Sequence, residues 1–245
     1  DTKINGATSA ESIDINFGPI KLPVTLNQNA RETSGIGQTA GFSAGVRLKA
    51  TDKIAFLFDA DSKAVNYKGT AADDIIGQVA AGPEFKIARY ASISVQAVGQ
   101  QRWYGGRLAS REYGTRVGLQ SALSEGQRIG VELDARKTES KLSSSYSGWQ
   151  LGANATYEHL IGKSMIATAS VFARRDLLNA KGFSSVNYGM NVGIGGELPF
   201  GLNAGVSGGV SRSEFDAPLL LYSFDKREDW RSFGRAYLGT RQLKV

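Results

Sequence analysis

Tight-turn signals recur along this chain near residues 51, 89, 126, 163 and 201, at spacings of 38, 37, 37 and 38 residues. Between them, long alternating apolar and polar runs go out and come back, with a longer, wetter stretch midway. Few folds obey such a metre. A helix cannot show a period of two as one stripe, whereas successive side chains of a strand point to opposite faces. Repeated hairpins, short-linked at one end and longer-linked at the other, are the layout of an antiparallel up-and-down β-barrel spanning an outer membrane.

The clearest run is 186–200. Val186, Tyr188, Met190, Val192, Ile194, Leu198 and Phe200 fall on one face, with Asn187, Asn191 and Glu197 on the other. After Gly201, Leu202, Ala204, Val206 and Val210 oppose Asn203, Ser207 and Ser211, and segments 148–161 and 128–136 repeat the pattern. A soluble β-sandwich also alternates, but its strands usually run about 5–6 residues. Runs of 12 to 15 residues suit a membrane strand, which needs about 9–11 to cross.

The strands are expected at 36–50, 54–67, 75–88, 92–104, 113–124, 128–139, 148–161, 164–177, 186–200, 202–215 and 229–245, after a first strand over Glu11–Phe17, prolonged through Ile20–Leu26. Residues 1–10 read as a periplasmic lead-in and 11–245 as the barrel. Short turns at 51–53, 89–91, 125–127, 162–163 and 201 would face the periplasm. Loops at 68–74, 105–112, 140–147, 178–185 and 216–228 would face outside. That makes about twelve strands. An unpaired sheet edge is not tolerated in lipid, so either twelve close on themselves or a missing C-terminal hairpin completes fourteen. The fourteen-strand count is preferred, because the chain stops on Val245 after a basic stretch and lacks the aromatic ending common in such barrels.

Charges choose the polar phase. Arg47, Lys49, Asp59, Asp61, Lys63, Glu84, Lys86, Arg102, Arg116, Arg128, Glu132, Asp134, Arg136, Glu158, Glu197, Arg231 and Arg235 all take it. Dry burial of so many ions would cost several kcal/mol each. A wet path and a salt-bridged wall both satisfy the pattern. Aromatic residues form two rims, as interfacial girdles do. Tyr67, Trp103, Tyr104, Tyr113, Tyr146, Trp149, Phe183, Tyr188 and Trp230 lie toward the long loops, and Phe85, Tyr90 and Phe200 toward the short turns.

Composition removes several other classes. No run approaches the roughly 18 apolar residues of a membrane helix. With no cysteine, disulfide frames and thiolate metal sites are excluded. Asp1 opens no leader pattern, so a mature or trimmed chain is expected. The net charge of +6 suits acidic headgroups or ordinary solubility, and the scattered basic residues give no nucleic-acid stripe. The single histidine, His159, stands beside the turn at Gly162-Lys163 on the apolar phase, without a nucleophile or orienting partner. No enzyme or cofactor is expected. Asp73-Asp74, or Asp59 with Asp61, are better solvated or salt-bridged than metal-bound. Gly193-Ile194-Gly195-Gly196 lies inside a strand, which fails the context of a phosphate loop.

Pro218-Leu-Leu-Leu-Tyr-Ser-Phe-Asp-Lys-Arg-Glu-Asp229, followed by Arg235 and Gly239-Thr240-Arg241-Gln242-Leu243, resembles the C-terminal barrel of the surface lipoprotein assembly modifier family. Ile4-Asn5-Gly6-Ala7-Thr8, the stretch Arg31 to Gly37, and Gly82-Pro83 resemble the start of that barrel. Arg227, Glu228 and Asp229 match its arginine–aspartate pairing after the last long loop. The resemblance implies a fourteen-stranded barrel, usually preceded by a periplasmic helical-repeat domain that is not seen here. It also implies a lipoprotein or soluble-carrier cargo moved to the bacterial surface. Candidate lumen or cargo-facing residues are Arg102, Arg116, Glu132, Asp134, Arg136, Glu197, Arg231, Arg235 and Arg241. A passive porin for small polar solutes is the alternative, and a loop-based adhesin the third reading.

Overall fold

The computed structural model describes residues 2–5, 12–17, 20–25, 33–35, 37–67, 73–198, 201–218 and 224–240. One antiparallel meander dominates. It comprises β5 (Gly37–Lys49), β6 (Ile54–Tyr67), β7 (Asp74–Ala88), β8 (Ala91–Tyr104), β9 (Arg107–Ser124), β10 (Gln127–Ser140), β11 (Gly148–Ile161), β12 (Met165–Leu178), β13 (Ser185–Leu198), β14 (Leu202–Phe215) and β15 (Glu228–Thr240). Each strand pairs with its sequence neighbours, giving an eleven-stranded up-and-down sheet. Two three-residue 3-10 turns, Ser144–Tyr146 and Lys181–Phe183, lie in connections between strands.

The expected first barrel strand is corrected. β2 (Ser12–Phe17) pairs with β3 (Ile20–Thr25) in a hairpin of its own, Phe17 opposite Ile20. The sequence between them is Gly18-Pro19, a strong turn dipeptide, so the alternation folds back locally instead of running on. The eleven-stranded sheet therefore replaces the count of about twelve. Within the residues 1–10 read as a lead-in, β1 (Thr2–Asn5) pairs with β4 (Thr33–Gly35).

A second correction falls on 105–112, expected to be a long loop. Tyr104 sits opposite Arg107, and the connection is only Gly105-Gly106, with φ of 57° and 73°. Two positive φ values are what a two-residue hairpin matched to strand twist requires, and paired glycines adopt them without steric penalty. β9 thereby becomes the longest strand, at 18 residues.

The polar phase is the concave one, because its side chains meet across intervening strands. Gln96 Nε2 donates to Asp59 Oδ2 at 2.6 Å from β8 to β6, and Arg136 Nη1 donates to Gln78 Oε1 at 2.9 Å from β10 to β7. Three strand steps on a flat sheet would span about 14 Å, so the sheet must curl toward this face. The other phase carries exposed apolar side chains along its whole length, among them Phe42, Val79, Val171, Met190 and Val206. A convex face this apolar has lipid as its natural solvent.

On β13 and β14 glycines recur along the concave phase, and neighbouring aromatics fill the space they leave. A Cβ placed on Gly205 would stand 2.5 Å from Tyr237 Cε1, one on Gly209 2.7 Å from Phe233 Cε1, and one on Gly189 2.9 Å from Phe172 Cζ. Tyr237, Phe233 and Phe172 are the direct cross-strand partners of these glycines. Each ring lies over the gap its partner leaves, a stabilising pairing of aromatic with glycine across a sheet.

Candidate functional site

The concave wall divides into a charged sector and a neutral one. From β5 to β12 its charges are laced together. Arg47 Nε donates to Glu84 Oε2 at 2.5 Å, and Ser92 Oγ donates to Glu84 Oε1 at 2.8 Å. Arg102 grips Asp74 with two parallel bonds of 2.8 and 2.7 Å, the fork geometry that suits guanidinium to carboxylate. Arg116 Nε lies 3.4 Å from Glu132 Oε1, Arg136 Nε 3.1 Å from Asp134 Oδ2, and Arg174 Nε 3.0 Å from Asp176 Oδ1. The two closest to the sheet centre are ion pairs without hydrogen-bond alignment, since Arg116 Nε and Arg136 Nε find no acceptor in good geometry.

Arg116, Glu132, Asp134 and Arg136 form one cluster on β9 and β10, where Asp134 stands directly opposite Arg116. Arg102 is one strand further along, on β8. Glu197 is apart, at the short-turn end of β13, where its backbone carbonyl accepts from Ser164 Oγ at 2.8 Å. Arg231 and Arg235 stand on β15 at the other side of the sheet, opposite Ser211 and Ser207, and Arg235 lies 5.5 Å from the Phe233 ring. Arg241 lies outside the described residues. The candidate residues thus share a face without converging on one point.

In the neutral sector, β13 and β14 present Asn187, Asn191, Asn203, Ser207, Ser211 and Ser213 with interspersed glycines. Asn187 Nδ2 donates to Ser213 Oγ at 3.0 Å, and Asn187 Oδ1 and Thr138 Oγ1 are buried without a protein partner. Buried polar atoms of this kind are ordinarily satisfied by water. His159 lies on the convex phase and stacks on Tyr157 at 6.4 Å between centroids. Among the described residues no group of three or more His, Asp or Glu side chains is placed to hold a metal.

Sequence reasoning overlooked Arg174, Asp176 and Glu112, whereas Asp74, read there as solvated or salt-bridged, is held by Arg102. Arg174 and Asp176 share the concave phase with Phe172, and that bulky ring hid the polar alternation. Glu112 fell in the stretch read as a loop.

At the long-loop rim the connections are stitched to one another. Asn179 N donates to Ser147 O at 2.8 Å, Asn179 Nδ2 to Ser144 O at 2.8 Å, and Asp216 N to Ser184 O at 2.9 Å. Tyr146 and Phe183 pack with ring centroids 4.6 Å apart. Arg175 donates to both oxygens of Asp216 at 2.7 and 2.5 Å, which holds that loop carboxyl below its ordinary value of 3.8.

A family model for the surface lipoprotein assembly modifier matches residues 5–245. The chain belongs to that family. Membership accords with the curled sheet and its apolar convex face, and it places this surface lipoprotein assembly modifier relative in the bacterial outer membrane. No curated protein matches the chain. Among solved structures, the KdgM porin and the KdgM porin in complex with disordered oligogalacturonate are each 10% identical, with a TM-score of 0.40, covering 82% of this chain and 98% of the porin chain.

Proposed function

We propose that the complete protein is a closed barrel, fourteen-stranded as the family resemblance implies, that translocates or displays a protein cargo at the cell surface. The observation that carries this reading is the family match over residues 5–245. The cargo is a lipoprotein or a soluble carrier, and a periplasmic helical-repeat domain is the expected partner. The described sheet leaves one edge of β5 and one of β15 without a strand partner. In lipid such edges demand closure. The role is transport without catalysis or cofactor.

Arg102, Arg116, Glu132, Asp134, Arg136, Glu197, Arg231, Arg235 and Arg241 are the proposed lumen or cargo-facing set. Arg231 and Arg235 are the first to test, because they stand on an edge strand. Surface biotinylation of cells with and without the intact gene tests the reading. Loss of one lipoprotein or secreted protein from the surface, while it persists inside, is the expected result. An unchanged labelled set removes it. If Arg231→Glu with Arg235→Glu leaves export intact, their role in cargo contact is removed.

A passive porin for small polar solutes is the second reading, favoured by the continuous polar concave wall. Steady conductance across a planar bilayer, independent of any cargo, would select it.

A further inference from the structure

The convex face carries charge only near one end. Its charged strand residues are Arg111, Lys137, Glu139, Arg175, Arg212, Glu214 and Glu228, all within a few residues of the long-loop rim. Among the described strand residues, the short-turn half of this face has no Lys, Arg, Asp or Glu. Level with the innermost of these charges stand Tyr113 and Trp149, on either side of Lys137, and Tyr188 and Trp230, on either side of Arg212. Aromatic side chains at that level mark the boundary between hydrocarbon and headgroups. Arg111 lies two residues beyond Tyr113 along β9, about 7 Å further out, at headgroup depth.

The charges on this rim are of two kinds. Over β12 to β15 they neutralise one another. Arg212 lies 3.0 Å from Glu214 and 2.9 Å from Glu228, over the Trp230 ring, while Arg175 is held by Asp216. Over β9 and β10 they do not. Arg111, Lys137 and the adjoining Lys141 face a single carboxylate, Glu139. That carboxylate already accepts from the Tyr113 hydroxyl at 3.0 Å and lies 3.7 Å from Lys141. Lys137 Nζ rests 5.9 Å from the Tyr113 ring centroid. Among the described residues neither Arg111 nor Lys137 has a carboxylate within ion-pair distance, and both are exposed.

We infer that Arg111, Lys137 and Lys141 form a docking site for the phosphate of a membrane lipid, with Tyr113 and Trp149 flanking its upper acyl region. The inference rests on the convex face being the lipid face, and is independent of what the lumen carries. An unpaired cation beside lipid is unfavourable unless an anion meets it, and an anionic headgroup supplies one at this depth. Guanidinium and ammonium donors side by side suit the several oxygens of a phosphate ester.

The test uses the full chain in phosphatidylcholine nanodiscs with and without phosphatidic acid. Lipid retained after gentle detergent extraction is counted by native mass spectrometry. The parent chain should keep phosphatidic acid over phosphatidylcholine. Arg111→Gln with Lys137→Gln and Lys141→Gln should lower that preference on the order of 30-fold, at about one fivefold step per unpaired cation. The charge-keeping variant, Arg111→Lys with Lys137→Arg and Lys141→Arg, should retain it, which separates lost charge from lost folding. Equal retention by the Gln variant overturns the inference. So does a parent chain without preference, or displacement of the lipid by inorganic phosphate, which would make the site one for the free anion. A lost lumen function with an intact lipid preference would sink the transport reading alone.

Discussion

Arg136 shows how much of the wall is decided by single side chains. It reaches Asp134 at 3.1 Å on its own strand and Gln78 at 2.9 Å three strands away. Its side chain is 14% exposed and that of Asp134 is 23% exposed, so neither ion is fully solvated. Arg136→Met should lower folding stability by about 1–3 kcal/mol, the range for losing hydrogen bonds to a charged group and leaving its partner unmatched. Lys49, whose pair with Asp52 is exposed on both sides, should lose far less on the same change. Reversible unfolding in detergent or lipid, compared for the two variants, checks the contrast. The inward phase of Arg116, Glu132, Asp134 and Arg136 was legible from alternation alone. Their mutual pairing was not, because it depends on register between strands and on the curl that brings β7 within reach of β10. Arg174 escaped for a simpler reason. Phe172 sits on the polar phase because Gly189 opposite leaves space for its ring, and a sequence read strand by strand does not register the empty partner.

The connecting elements were read unevenly. Long, strictly alternating strands announced themselves, and the register of β10 to β14 follows the expected alternation closely. The turn at Gly105-Gly106 was missed although a paired-glycine dipeptide is a strong hairpin signal, because the metre led the eye to expect a long loop there. Gly106→Val should cost about 1–2 kcal/mol, since a Cβ disfavours the φ of 73° held at this residue. Asn, which tolerates that region, should be nearly neutral. Refolding yield into micelles, followed by heat-dependent gel mobility, distinguishes the two. The rim loops make a separate prediction about pH. Arg175 lowers the folded-state value of the Asp216 carboxyl beneath its ordinary 3.8. The resulting stabilisation is therefore complete above the ordinary value and is lost as pH falls through the lower, folded one. Amide exchange at Asp216, whose N–H is held by Ser184 O, should accelerate in that acid window. In Asp216→Asn the acid dependence should vanish.

At the scale of the whole molecule, two faces with opposite solvents set what is tolerated. Val171, 57% exposed in the middle of β12 on the convex side, should accept no charge. Val171→Arg should lose about 2–4 kcal/mol of membrane stability, whereas Ser207→Arg, on the concave side of β14, should lose much less. Outer-membrane insertion of the two variants, read by heat-dependent mobility and protease resistance, checks this. The all-β class, the meander and the polarity of its faces were all present in the sequence. The strand count was not, since Ser12–Phe17 alternates as well as any barrel strand and only its pairing with β3 reveals it as a separate hairpin. The rings over glycines carry one more consequence. If β15 slid past β14 by two residues, the least slip that keeps each face toward its own solvent, Tyr237 would confront Asn203 or Ser207 and Phe233 would confront Ser207 or Ser211. Every one of those positions carries a Cβ where the ring must lie. Tyr237 and Phe233 thus behave as two teeth of a key cut for one slot, and a misaligned strand fails at both teeth together.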